Sequence, residues 1–169
     1  IYFDHFDYES LYLTAERHEK ILEKFRNSGR IFEDEHGRLA LNLEGFNLPS
    51  RNPVLVITRS NKTSLYPLRD IAYTLEKVRV ATDINLVVLG EDQKLYHRQI
   101  QAALKIIGSN APVAVHYSFV VLGSGSMSTR QGNLVLMADF VEEAKRKAIA
   151  ELRTRNHEIN SKTAKAVAY

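Results

Sequence analysis

The spacing of apolar residues along the chain predicts amphipathic helices. Apolar side chains recur three or four positions apart in several stretches, which is the repeat of one helix face. Asp7 or Ser10 is expected to cap the first helix, Gly29 to stop it, and Gly108 to close the third. Asp139 begins a capping-box pattern before the last helix. The predicted helices span 8–27, 67–78, 96–107 and 139–152.

Short apolar or alternating runs between these helices predict strands. Residues 31–43 read as a hairpin around a His36-Gly37 turn, and the turn-rich residues 44–53 as a loop. Continuous apolar runs rich in β-branched residues are typical of strands covered on both faces of a parallel sheet. We predict such strands at 54–58, 84–90 and 112–122.

Strands and helices alternate after residue 54 in the order of right-handed βαβ crossovers. We therefore predict an α/β fold with a parallel sheet and flanking helices. Ligands of such sheets bind beyond the carboxyl ends of the strands. Polar stretches follow each predicted strand end, and we expect them to meet at one edge: 59–70, 90–93 and 123–133.

The composition is that of a soluble globular protein. Of 169 residues, 44% are hydrophobic and 25% are charged, and we expect one domain. The lack of cysteine excludes disulfides and thiolate metal sites and fits a reducing cytoplasm, where we expect the protein to act. No apolar run approaches the roughly 20 residues that span a bilayer, so no membrane partner is expected. The net charge of +3 permits contact with RNA without requiring it.

The stretch 123–133, GSGSMSTRQGN, combines flexible backbone with hydroxyl groups and the guanidinium of Arg130. Glycines allow close backbone approach, and N–H, hydroxyl and guanidinium groups all donate to phosphate oxygens. An ordinary connection between a strand and a helix has a similar composition. The pattern alone therefore leaves open a phosphate site and a plain loop.

Tyr66 and Asp70 lie four residues apart, so they share a face near the start of a predicted helix. A carboxylate and a phenol on one face suit a guanidinium ligand, which they can bind by charge-assisted hydrogen bonds and ring contact. The alternative is that Asp70 pairs locally with Arg69 or Lys77. His97, on a helix, and the strand residue His116 are expected to be structural, and no cluster predicts a metal site.

Three stretches together resemble arginyl-tRNA synthetases, a family of class I aminoacyl-tRNA synthetases. Residues 127–133, MSTRQGN, resemble the KMSKS-type loop, and 66–73, YPLRDIAY, and 87–93, VVLGEDQ, follow the family's order. The resemblance implies a Rossmann-like (HUP-type) parallel sheet. It also implies that the chain is the C-terminal half of the catalytic nucleotide-binding domain, since none of the six histidines lies in an HIGH-like tetrapeptide.

The resemblance also assigns roles to individual residues. Tyr66, Asp70 and Gln93 are expected to bind the arginine substrate. Gln93 stands where many relatives have histidine, so contact with adenosine is an alternative role for it, and a helix-capping role for Asp92 is the other alternative at this turn. The resemblance assigns both ATP binding and a catalytic role to residues of the loop. The residues expected to bind ATP are Gly125, Met127, Ser128, Thr129 and Arg130, of which Ser128, Thr129 and Arg130 are expected to stabilise the departing pyrophosphate.

One position of the loop departs from the family pattern. The lysine that opens the KMSKS form is Ser126 here. The missing positive charge is expected from the absent half or from Lys62 or Arg59, although Lys62 also reads as an ordinary solvated lysine.

The resemblance implies a ligase that activates L-arginine with ATP and Mg²⁺ and transfers it to tRNA, with no tightly bound cofactor. Residues 1–153 are expected to be part of the catalytic domain, and 154–169 a linker toward an absent helical anticodon-binding domain. The chain alone is expected to be inactive. The alternatives are another nucleotidyl transferase of the superfamily and a non-catalytic paralogue that binds RNA or protein.

Overall fold

The computed structural model divides the chain into two compact units, Ile1–Phe119 and Val120–Tyr169. The predicted boundary at residue 153, between the catalytic-domain part and a linker, stays a prediction. The residues that the structure describes are 2–12, 14–51, 53–80, 83–118 and 136–154.

The first predicted helix begins later than expected. Glu9–Tyr12 form a short 3-10 helix, and α1 spans Ala15–Asn27 after an extended Thr14. The expectation that Asp7 or Ser10 caps this helix is wrong, because Thr14 occupies the cap position, and the Asp7 carboxylate accepts hydrogen bonds from phenols instead. The predicted stop is confirmed at Gly29, which follows the helix with a φ of +69°.

The predicted hairpin is confirmed, with β1 at Ile31–Glu33 and β2 at Leu39–Asn42. Strand β3, Val54–Val56, pairs antiparallel with β2, and Leu41 lies opposite Leu55. The prediction that this strand joins the parallel sheet is therefore wrong. A β-branched run indicates a buried strand but does not specify the partner or its direction.

The parallel part of the prediction is confirmed. Helix α2 spans Tyr66–Val80, and β4, Leu86–Gly90, is followed by a 3-10 helix, Glu91–Gln93. Helix α3, Lys94–Ile106, then crosses to β5, Val113–Tyr117, which pairs parallel with β4. The chain therefore has a mixed α/β fold with a parallel strand pair and flanking helices.

Strands β4 and β5 alternate in burial, which differs from the predicted cover on both faces. Val87 and Leu89 face a cavity against the helices. The alternate side chains are exposed, Val88 to 66%. The exposed apolar residues of the pair are Leu86, Val88, Val113, Val115 and Tyr117.

The core of the first unit joins α1, the antiparallel strands, α2 and α3. Apolar side chains from each of these elements form one buried cluster. Gly108 ends α3 with a φ of +71°, a conformation that favours glycine because a Cβ there crowds the backbone. The largest fully buried apolar side chains are Phe25, Leu41, Leu43, Ile57, Leu68, Ile71 and Leu104.

In the second unit, α4 spans Met137–Thr154, so it begins two residues before the predicted Asp139. The predicted loop at 123–133, the end of the third predicted strand and nearly all of the predicted linker lie outside the described residues. Among the helices in the described ranges, none is both long enough and apolar enough to cross a bilayer.

Candidate functional site

A cavity of about 340 Å³ opens between α2 and α3 beside β4. It lies along one face of β4, from Pro112 before β5 to Gln93 after the carboxyl end of β4. A volume of this size falls in the range of small-molecule sites. The lining residues are Asp70, Tyr73, Thr74, Lys77, Val87, Leu89, Gln93, Tyr96, His97, Ile100 and Pro112.

Asp70 is fixed by a tyrosine of the neighbouring helix. The hydroxyl of Tyr96 donates a hydrogen bond to Asp70 Oδ2. The ring of Tyr96 also packs against that of Tyr66, with 5.1 Å between centroids. Tyr66 is 60% exposed and does not line the cavity, but it lies against the side chain that holds Asp70. Asp70 and Tyr66, the predicted carboxylate and phenol, thus both contact Tyr96.

Tyr96 remains a hydrogen-bond donor at any ordinary pH. Burial raises the pKa of its hydroxyl well above the usual value, and its hydrogen bond to Asp70 and the negative charge there raise it further. Because the phenol keeps its proton, it can donate to Asp70 while the carboxylate stays available to a cation.

Neither local partner foreseen for Asp70 forms an ion pair with it among the described residues. Arg69 donates to Glu9 Oε1 at 2.6 Å and to the Ser64 carbonyl at 3.0 Å. Lys77 places its ammonium 4.4 Å from the centroid of the Tyr73 ring. Burial lowers the pKa of Lys77, and the nearby negative charge of Asp70 partly opposes that effect. Asp70 therefore faces the cavity without a salt-bridge partner in the described part of the chain.

Gln93 lines the same cavity from the end of the 3-10 helix. Its side-chain amide donates to Asp92 Oδ2 at 2.8 Å, and neither this helix nor α3 has a side-chain cap hydrogen bond. The capping alternative for Asp92 is therefore wrong. A Cβ at Gly90 would lie 2.6 Å from Asp92 Oδ1, so a larger residue there would have to displace the Asp92 side chain.

One histidine lines the cavity, and a second lies next to the first. His97 lines it, and its ring centroid is 6.3 Å from that of His116. His97 Nε2 and His116 Nδ1 are buried without a hydrogen-bond partner among the described residues. Burial lowers the pKa of His97, with a backbone hydrogen bond at Pro112 opposing the shift, so His97 stays neutral near pH 7. In the described ranges, no cluster of acidic and histidine side chains is placed to hold a metal ion.

The segment 2–12 packs against α2 near Asp70. A second cavity, of about 210 Å³, is lined by Asp70, Arg69 and Tyr73 of α2 together with side chains of this segment. Asp7 accepts from the Tyr73 hydroxyl at 3.1 Å. Burial raises the pKa of Asp7, but hydrogen bonds from Tyr73 and two further side chains outweigh it, and the net pKa is lowered.

The two cations expected to supply the missing loop charge are engaged elsewhere. Lys62 Nζ lies 2.6 Å from Glu33 Oε2 and 2.7 Å from the Gly37 carbonyl. The Arg59 guanidinium donates to Ser64 O at 3.2 Å. Lys62 thus contacts the hairpin through its ammonium group. It is therefore not only a solvated lysine, as the alternative proposed, but also has two partners there. The predicted ATP residues Gly125, Met127, Ser128, Thr129 and Arg130 lie outside the described part.

Tyr96 was not predicted as a site residue. It begins the apolar stripe of the third predicted helix, and the other members of that stripe are Ile100, Ala103, Leu104 and Ile107. A buried tyrosine usually needs a partner for its hydroxyl, and Tyr96 lies three residues after Gln93. These two features together could have indicated it.

The family described as tRNA synthetases class I (R), catalytic domain, matches residues 4–168. An arginine–tRNA ligase of Methanococcus aeolicus is 38% identical over 156 residues, which cover 92% of this chain and 26% of that protein. Another, of Methanocella arvoryzae, is 37% identical over 169 residues, 99% of this chain and 29% of that protein. The chain thus spans between a quarter and a third of the length of these relatives.

Solved structures agree in fold. A putative arginyl-tRNA synthetase of Campylobacter jejuni superposes with a TM-score of 0.68 at 23% identity, covering 85% of this chain and 31% of that one. The Thermus thermophilus arginyl-tRNA synthetase gives 0.63 at 21% identity, over 93% and 32%. Because the family match extends over nearly the whole sequence, the chain belongs to the class I (R) tRNA synthetase catalytic-domain family.

Proposed function

We propose that the chain is the C-terminal half of the catalytic domain of an arginine–tRNA ligase. The enzyme would activate L-arginine with ATP to arginyl-adenylate and pyrophosphate, and then transfer the arginyl group to a terminal ribose hydroxyl of tRNA. The family membership and the names of the relatives support this proposal. It includes a cytoplasmic location and a linker over 154–169 toward a helical anticodon-binding domain.

The observation that carries the proposal is the shared cavity of Asp70 and Gln93 with Tyr66 close by. The carboxylate of Asp70 lines the cavity without an ion-pair partner in the described ranges and suits the arginine guanidinium, which carries a fixed positive charge and five N–H donors. Gln93 adds an amide, and the Tyr66 ring adds an aromatic surface beside the Tyr96 ring. These groups are proposed to bind the substrate side chain and hold it in place.

The reaction needs positioning and charge stabilisation more than covalent participation of the protein. We propose that Gly125, Met127, Ser128, Thr129 and Arg130 bind ATP, and that Ser128, Thr129 and Arg130 stabilise charge on the departing pyrophosphate. Their resemblance to the family loop supports these roles. Mg²⁺ would arrive with the nucleotide phosphates, since this ion binds through phosphates and few protein ligands.

The test is Asp70→Asn in the full-length protein, measured by arginine-dependent pyrophosphate exchange with tRNA present. Loss of charge-assisted hydrogen bonds is expected to raise KM for arginine by about 10- to 100-fold. KM for ATP is expected to stay within about twofold, because the substitution removes contacts to the amino acid alone. Asp4→Asn, an equal change at an exposed carboxylate outside the cavity, is the matched control.

An unchanged KM for arginine in Asp70→Asn would remove the proposed binding role of that carboxylate. A full-length protein without arginine-dependent exchange would instead favour the non-catalytic paralogue.

A further inference from the structure

Tyr96 connects the two α2 residues of the proposed arginine site. Its hydroxyl donates to Asp70, and its ring contacts Tyr66 with 53° between the ring planes. Tyr66 and Asp70 lie about one turn apart on α2, whereas Tyr96 lies on α3. We propose that Tyr96 is a positioning residue that orients the Asp70 carboxylate for two-point recognition of the guanidinium. This inference rests on the proposed function and adds to it a specificity-determining residue.

The geometry leaves the carboxylate able to bind a forked cation. An ionised carboxylate has about four lone-pair sites, and the Tyr96 hydroxyl occupies one of them, on Oδ2. Both oxygens of Asp70 therefore keep a site for a guanidinium N–H. The terminal torsion of an aspartate is broad, so without the phenol the carboxylate samples many orientations that binding must then restrict.

Other side chains near Asp70 do not take over this role in the described structure. Arg69 is directed to Glu9 and Ser64, and Lys77 lies over the Tyr73 ring. Among the described residues, the hydrogen bond to the Asp70 side chain comes from Tyr96. Its phenol also lines the cavity, so the fixed carboxylate is presented to the space in which the substrate would lie.

The first test is Tyr96→Phe in the full-length protein, which removes the hydroxyl and keeps the ring. KM for arginine in pyrophosphate exchange is expected to rise about tenfold, because a hydrogen bond to a charged group is lost. The kcat and the KM for ATP are expected to stay within about twofold, which a general loss of structure would not allow. An unchanged KM for arginine contradicts the proposal.

Tyr8→Phe is the matched control, because it makes the same substitution at a tyrosine that is 72% exposed and does not line this cavity. It is expected to leave KM for arginine unchanged. Replacement of Tyr96 by 4-aminophenylalanine keeps the ring and an N–H donor at the position of the hydroxyl, and it provides a second measurement if the phenylalanine variant does not fold. Its KM for arginine is expected within about threefold of the wild type, and a rise of about tenfold or more would overturn the proposal.

A double-mutant cycle with Asp70→Asn tests whether Tyr96 acts through that carboxylate. The combined variant is expected to have no higher KM for arginine than Asp70→Asn alone, whereas multiplied effects would mean that the two residues act independently. The cycle also separates two failures. An unchanged KM in Asp70→Asn overturns the proposed function, while a raised KM there with an unchanged KM in Tyr96→Phe overturns this inference alone.

Discussion

The carboxylate of Asp34 fixes the turn of the hairpin. Its Oδ1 accepts from the backbone N–H of His36 at 3.0 Å and of Arg38 at 2.9 Å, and its Oδ2 accepts from Arg38 Nε at 2.8 Å. The hydrogen bond from the Arg38 side chain is the largest cause of a lowered pKa of Asp34, and burial opposes it only in part. The charged carboxylate is therefore the form that stabilises the turn.

This pKa shift predicts how the stability of the hairpin depends on pH. A carboxylate whose pKa is lower in the folded state stabilises that state above the unfolded-state pKa, here 3.8, and loses the effect as pH falls toward the folded value. The wild type is expected to protect the hairpin amides better than Asp34→Asn at pH 7, and the difference is expected to shrink below about pH 4. Hydrogen exchange, corrected for intrinsic rates, measures it.

The neighbouring exposed acid supplies the control, since Glu35→Gln is expected to change protection little at either pH. A difference between wild type and Asp34→Asn that persists unchanged to pH 3 would contradict the assigned role of the charged carboxylate.

At the same scale, the sequence predicted part of the site. The spacing of Tyr66 and Asp70 placed both at the start of one helix, because helical geometry is local. Tyr96 could not be paired with Asp70 in this way, since the contact depends on how α2 and α3 pack. Local spacing therefore indicates which groups share an element but not which groups meet across elements.

At the scale of elements, the segment 2–12 is attached to α2. The Tyr73 hydroxyl donates to Asp7, the Tyr73 ring lies 4.7 Å from that of Tyr12, and Arg69 pairs with Glu9. All of these contacts involve the N-terminal half of α2, which also carries Asp70. The segment thus supports the helix through hydrogen bonds, a ring contact and an ion pair.

Tyr73→Phe is expected to loosen this segment without removing its ring contact. Loss of one hydrogen bond of about 0.5–1.5 kcal/mol predicts a roughly 2- to 10-fold faster amide exchange in the Glu9–Tyr12 helix. Hydrogen exchange with mass spectrometry measures it. Tyr8→Phe serves as the control, because Tyr8 is 72% exposed. Equal exchange in wild type and Tyr73→Phe would show that the hydroxyl contact does not hold the segment.

Element type was more predictable than element pairing. Periodicity identified α2, α3 and the parallel pair β4 and β5, since a strand, helix and strand in succession form a right-handed crossover. The antiparallel placement of β3 could not be read in this way. Its apolar run is compatible with either direction, and the return of the chain through the loop 44–53 decides the pairing with β2.

At the scale of the whole molecule, the first unit contains a cavity lined by Val87 and Leu89 of β4. The alternate apolar side chains of β4 and β5 are exposed. The family membership follows from a match over residues 4–168, and the fold agrees with solved arginyl-tRNA synthetases. The sequence motifs predicted that family because they combine three separate stretches in one order. The relation between Asp70 and Arg130, on which the predicted ATP site depends, involves residues outside the described ranges and stays a prediction.

The role that we propose for Asp70 is recognition of the positive guanidinium of arginine by its negative charge. Isothermal titration of the full-length protein with L-arginine and with L-citrulline, which carries a neutral urea of nearly the same shape, tests it most directly. Arginine is expected to bind roughly 10- to 100-fold more tightly in the wild type, and Asp70→Asn is expected to abolish most of that preference. Similar affinities for the two ligands in the wild type, or an undiminished preference in Asp70→Asn, would contradict the account.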